Sequence, residues 1–84
     1  MSVESEKVIR TIKIVVVISK HEEREIEFHT DVVTGLEIKN RAGVSPQDDL
    51  AIKRHDKLEL ITNEETVTIH DGEHFHVFPP GTIS

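Results

Sequence analysis

Val33-Thr34-Gly35-Leu36-Glu37-Ile38-Lys39-Asn40-Arg41-Ala42-Gly43 is the stretch that decides the fold. Thr34 and Glu37 stand at the spacing of a capping box. In it the threonine oxygen accepts from the Glu37 amide, and the Glu37 carboxylate accepts from the Thr34 amide. Val33 and Ile38 then take the two positions of a hydrophobic staple. Gly43 suits the left-handed position after a last helical turn. Lys39 and Arg41 lie where cations complement the helix dipole. Together these signals predict a short helix over roughly 35–42 that presents Ile38 and Ala42 to a core. It is the one convincing helix in the sequence.

Strands flank it on both sides. Ile12, Ile14, Val16 and Ile18 alternate with Lys13, Val15 and Val17, a period of two in β-branched residues. The second face of this strand is apolar too, so either another element covers it or it forms an exposed strip for a partner. Ser19 to Glu23 reads as a turn, after which Ile26 and Phe28 alternate with Glu25, Glu27 and His29. That predicts a second strand with one wet face, hairpinned to the first. Beyond the helix, Val44-Ser45-Pro46-Gln47-Asp48-Asp49 is a polar connection. Leu50 and Ile52, then Leu58 and Leu60, mark two short strands around a tight turn at Arg54-His55-Asp56-Lys57. Asp71-Gly72 separates Val67 and Ile69 from Phe75 and Val77, which predicts a local hairpin. One helix across a mostly antiparallel sheet, an α+β arrangement, accounts for this order.

Composition narrows the function. The chain has 84 residues, enough for one modest core, with a total stability of about 4–13 kcal/mol. It contains no cysteine, which excludes disulfides, thiolate catalysis and cysteine-ligated zinc. Sixteen acidic against ten basic residues give a net charge of -6, which argues against nucleic acid and anionic membrane as partners. No secretory signal is legible, because Glu4 and Glu6 are acidic and Arg10 and Lys13 break the apolar run. A cytoplasmic protein is expected, with residues 1–7 forming a disordered arm, 8–78 the domain and 79–84 a flexible tail.

Six histidines invite a metal reading. His74 and His76 flank Phe75 and so share one strand face, but no recognised ligand spacing accompanies them. A surface that partners read, with a charge that changes between about pH 5 and 8, is the alternative use of the pair. No metal and no cofactor is expected. Ser19, Ser45 and Ser84 lack a nucleophile-elbow context. The pairs Glu22-Glu23, Asp48-Asp49 and Glu64-Glu65 fall in turns, where solvation is the simpler role. Catalytic side chains are therefore not expected, and the chain is not read as an enzyme. At the other end, Val77-Phe78 runs into Pro79-Pro80, which stop sheet pairing because proline fixes φ and donates no backbone hydrogen bond.

The order of elements, the stretch Gly43-Val44-Ser45-Pro46-Gln47-Asp48-Asp49 and the strand leading into a tail resemble ubiquitin. Val33-Thr34-Gly35-Leu36-Glu37-Ile38, Ala42-Gly43-Val44-Ser45-Pro46 and His74-Phe75-His76-Val77-Phe78-Pro79-Pro80-Gly81-Thr82 are more closely similar to the bacterial multiubiquitin-domain family. The resemblance covers about Lys13 to Ser84. It implies a β-grasp fold, a mixed sheet of four to five strands with one main helix. It also implies a protein modifier joined to target proteins by activating and conjugating enzymes and released by a deconjugating peptidase. The conjugation tail would be Pro79, Pro80, Gly81, Thr82, Ile83 and Ser84, and the partner-binding patch His74 and His76. The sequence departs from ubiquitin in ending Ile83-Ser84 rather than in a diglycine. Trimming to expose Gly81, further residues after Ser84, or a domain that is never conjugated are the three explanations. A non-conjugated β-grasp interaction module is the alternative function, and a sulfur carrier is a third that also needs a terminal glycine.

Overall fold

The computed structural model describes residues 11–81. Seven strands and one helix follow in the order β1 (Ile12–Ser19), β2 (Glu22–Phe28), β3 (Val32–Thr34), α1 (Gly35–Ala42), β4 (Asp49–Arg54), β5 (Lys57–Ile61), β6 (Thr66–Thr68) and β7 (His74–Phe78). Five of them form a sheet in the order β2-β1-β7-β4-β5, and β3 and β6 form a separate antiparallel pair. The β1–β7 pairing is parallel and the others in the large sheet are antiparallel, so the sheet is mixed. This is the α+β, β-grasp arrangement.

Helix α1 begins and ends where its signals place it. The Glu37 amide donates to Thr34 Oγ1 at 3.1 Å, and the Thr34 amide donates to Glu37 Oε1 at 2.8 Å. Gly43 closes the helix at φ 75°, with its N–H directed to the last turn. Val33 and Ile38 are both buried. The first helical amides are met by the 62–65 turn, Gly35 N–H by the Glu65 carbonyl and Leu36 N–H by the Asn63 carbonyl. Gly35 allows that approach, since a Cβ there would collide with the Thr62 carbonyl oxygen.

Lys39, in the last turn where a cation complements the dipole, is also buried. It is 4% exposed. Its ammonium donates to Asn63 Oδ1 at 2.6 Å and to the Pro46 carbonyl at 3.3 Å, and Asn63 Nδ2 donates to the same carbonyl. A buried ammonium persists only where neighbouring acceptors replace water, and here they tie the helix to two connections.

The core lies between α1 and one face of the sheet. Ile12, Ile14 and Val16 from β1, Ile26 and Phe28 from β2, Leu50 and Ile52 from β4, and Phe75 and Val77 from β7 meet Ile38 and Ala42. The apolar set of β2 thus shares the core with β1, as its alternation implies.

Two expectations change. A short strand that alternation did not mark, β3, precedes the helix. Asp71-Gly72 is not the turn of a hairpin. Strand β6 pairs with β3, whereas β7 crosses the molecule to lie between β1 and β4. The Asp71-Gly72 turn instead feeds β7 in alongside β1. Lys13 N–H donates to Asp71 Oδ1, Gly72 N–H to the Lys13 carbonyl and Val15 N–H to the Glu73 carbonyl. A local turn preference cannot distinguish the two outcomes, because both need a reversal with a left-handed glycine, and Gly72 has φ 85°. The expected arm lies outside the described residues, as do Thr82, Ile83 and Ser84 of the tail.

Candidate functional site

The sheet face turned away from α1 is the candidate site. Its composition follows from the pleat: residues that alternate with the core set must point the other way. Register places Val15 opposite His74 and Val17 opposite His76 on β1 and β7. Across β7, His76 stands opposite Ala51, and across β4, Ala51 stands opposite Leu60 and Lys53 opposite Leu58. One row therefore reads Val17, His76, Ala51, Leu60, and the next begins Val15, His74 and ends Lys53, Leu58. Glu23 and Glu25 border these rows on β2.

The face is acidic along its β2 edge, carries the histidines at its centre and is apolar along its β5 edge. Leu58 and Leu60 are 49% and 47% exposed, large values for leucine in a folded sheet. Ala51 is wholly inaccessible, a methyl sunk between the larger His76 and Leu60 of its own row. His76 stacks on Phe78 two residues along, with ring centroids 6.4 Å apart. His74 is exposed and His76 half-buried, so the two predicted patch residues share the predicted face. Burial, the Lys53 ammonium and the neighbouring His74 together hold the His76 imidazole below its ordinary 6.5. Val15 and Val17, the second apolar face of β1, are half-buried parts of the same surface. Leu58 and Leu60 belong to it as well, and alternation alone could not have assigned them. It marks β5 as a strand, but only the β4–β5 register shows that they lie opposite the face of Leu50 and Ile52.

The described tail residues leave this surface at one end. Val17, Ile18, Ser19 and Lys20 of the first hairpin and His76, Val77, Phe78 and Pro79 line an open, mainly apolar groove at the root of the tail. There β7 diverges from β1, whose partner shifts to Glu22 through an irregularity after Val17. Gly81 has φ 83°, and a side chain there would meet nothing within 4 Å. Among the described residues, no group of three or more histidine and acidic side chains converges in a way that could hold a metal ion. No helix of the described chain is long and apolar enough to cross a membrane.

Comparison with known proteins agrees with this fold. The sequence model of one family, described as multiubiquitin, matches residues 22–81, from the start of β2 to the tail glycine. No curated protein and no solved structure matches the chain.

Proposed function

The chain belongs to the multiubiquitin family, and we propose that it works as a ubiquitin-like protein modifier, conjugated through its C-terminal tail in a bacterial cell. The observation that carries this reading is the placement of β7. The strand that leads to the tail is locked between β1 and β4 in the middle of the sheet, and Phe75 within it is fully buried. A tail rooted there can be pulled into an enzyme's channel without loosening the domain. Pro79 and Pro80 stiffen its exit by fixing φ, Pro80 and Gly81 form a turn there, and Gly81 adds no side chain.

In the proposed chemistry the carboxylate of the processed tail attacks the α-phosphorus of ATP. Pyrophosphate leaves, and an acyl adenylate forms on the activating enzyme. A thiolate of that enzyme or of a conjugating enzyme displaces AMP to give a thioester, and a target amine displaces the thiolate to give an amide. The domain supplies the carboxylate and the docking surface, and the enzymes supply the catalytic groups. His74 and His76 with their apolar neighbours are the surface that these enzymes or a deconjugating peptidase would hold. Gly81 is the proposed mature end.

Co-expression of the tagged chain with its cognate enzymes tests the reading. Covalent adducts that resist boiling in detergent should form, and Gly81→Pro should remove them. If no adduct appears with the full chain or with one ending at Gly81, the chain is not a modifier. His74→Ala with His76→Ala should weaken capture of the activating enzyme, and unchanged capture would take the patch out of the account.

The second reading is a non-conjugated interaction module, favoured by the exposed apolar rows on the sheet face. It predicts partner binding that is independent of the tail.

A further inference from the structure

The sheet has two edges, and they are built differently. Strand β2 carries four glutamates against Arg24, a net -3 over its seven residues. One of its carbonyls is already used: Arg41 donates to Glu27 O at 2.7 Å while lying over the Phe28 ring. Strand β5 carries one lysine and one glutamate, Lys57 and Glu59, and is neutral overall. Among the described residues no strand pairs with its outer side.

The β4–β5 turn determines which backbone groups of β5 remain open. His55 and Asp56 have φ of 51° and 63° and form the two-residue loop between the paired Arg54 and Lys57. Both central residues at positive φ identify a type I′ hairpin, whose closing pair is hydrogen-bonded. Antiparallel ladders alternate bonded and non-bonded pairs. Arg54–Lys57 and Ile52–Glu59 are therefore bonded pairs, and the N–H and C=O groups of Leu58 and Leu60 point outward. The residues with open backbone groups are the two leucines with half-exposed side chains.

Leu58-Glu59-Leu60 reads the same in both directions. We propose that β5 pairs antiparallel with β5 of a second copy of this chain about a two-fold axis at Glu59. Leu58 of each copy then stands opposite Leu60 of the other. The two pairs exchange backbone hydrogen bonds and gather four leucines on the open sheet face. Other registers are poorer: centring on Leu58 runs the Asp56 turn against Leu60, and centring on Leu60 opposes Glu59 to Ile61. The self-complementary sequence selects a second copy rather than a foreign strand. The neutral edge is the one at which two chains of net charge -6 can approach. The one unfavourable contact is Glu59 facing its own copy, diagonal to the two Lys57 ammonium groups. A five-residue edge is small against a stable interface, so the dimer is transient and concentration-dependent. It does not depend on conjugation.

Sedimentation equilibrium of the full chain from micromolar to millimolar concentration tests this, together with amide exchange at both extremes. The mass should rise toward a dimer, and the Leu58 and Leu60 amides should gain protection. Glu59→Gln removes the like-charge contact and should tighten association about two- to fivefold, the range for exposed charge pairs. Leu58→Ser with Leu60→Ser should weaken it by about tenfold or more. Should that variant fail to fold, Glu59→Gln and the wild-type exchange pattern still decide. A monomer at every concentration overturns the proposal, as does protection that appears on β2 or on β7 instead of β5. Association unchanged or weakened in Glu59→Gln overturns it too.

Discussion

His76 is the residue of the proposed surface whose proton affinity the fold changes. Burial, Lys53 and His74 lower its proton affinity in the folded state. The unfolded chain binds that proton more readily, so stability rises with pH across this range. The contribution is full above the unfolded value of about 6.5 and is lost as pH falls through the lower folded value. Proton NMR titration should give His76 a midpoint below 6.5, and His76→Gln should flatten the fall in thermal midpoint on acidification. A midpoint at or above 6.5 would contradict the burial described. Gly35 makes the opposite kind of case, where two residue-level effects compete. Alanine is the better helix former by up to about 1 kcal/mol. Its methyl would strike the Thr62 carbonyl and crowd Ile61 Cγ2, and such overpacking costs about 1–3 kcal/mol. Gly35→Ala should therefore lower the urea midpoint, and a higher midpoint would show that the turn yields freely.

At the scale of elements, α1 is held by three separate devices: its capping box, the 62–65 turn against its first amides, and the buried Lys39. Asn63 serves the last two. Its backbone carbonyl accepts from Leu36, and its side chain bridges Lys39 and Pro46. Asn63→Ala would leave the buried ammonium with the Pro46 carbonyl as its one described acceptor. The cost should be about 1–3 kcal/mol, as for a buried group deprived of a partner, and thermal unfolding should show it. A neutral result would mean that water reaches Lys39. The helix was legible in the sequence to its boundaries because its signals are local: Thr34 with Glu37, and Gly43 after the last turn. Strands β1, β2, β4 and β5 were legible from alternation. Strand β3 was not, since Val32–Thr34 is too short to alternate and exists through its pairing with β6. The Asp71-Gly72 turn misled for the same reason, because its partner, β1, lies some sixty positions away. The burial of Lys39 was not legible, because no pattern within a helix reveals what a distant asparagine will offer it.

For the whole molecule, the sheet order turns scattered residues into one surface. His74 and His76 were visible as a pair in the sequence, but their neighbours Val17, Ala51 and Leu60 come from three other strands. Only the parallel β1–β7 pairing and the β7–β4 and β4–β5 registers bring them into one row. The same order roots the tail in the central strand and leaves β5 as the neutral edge. The function proposed for the molecule rests on the tail. The most direct test is intact mass spectrometry of the chain ending at Gly81 after incubation with its cognate activating enzyme and ATP. The account predicts an acyl adenylate or a thioester whose carbonyl maps to Gly81, with pyrophosphate released. An unchanged mass for both this chain and the full-length one, with no pyrophosphate released, would contradict it.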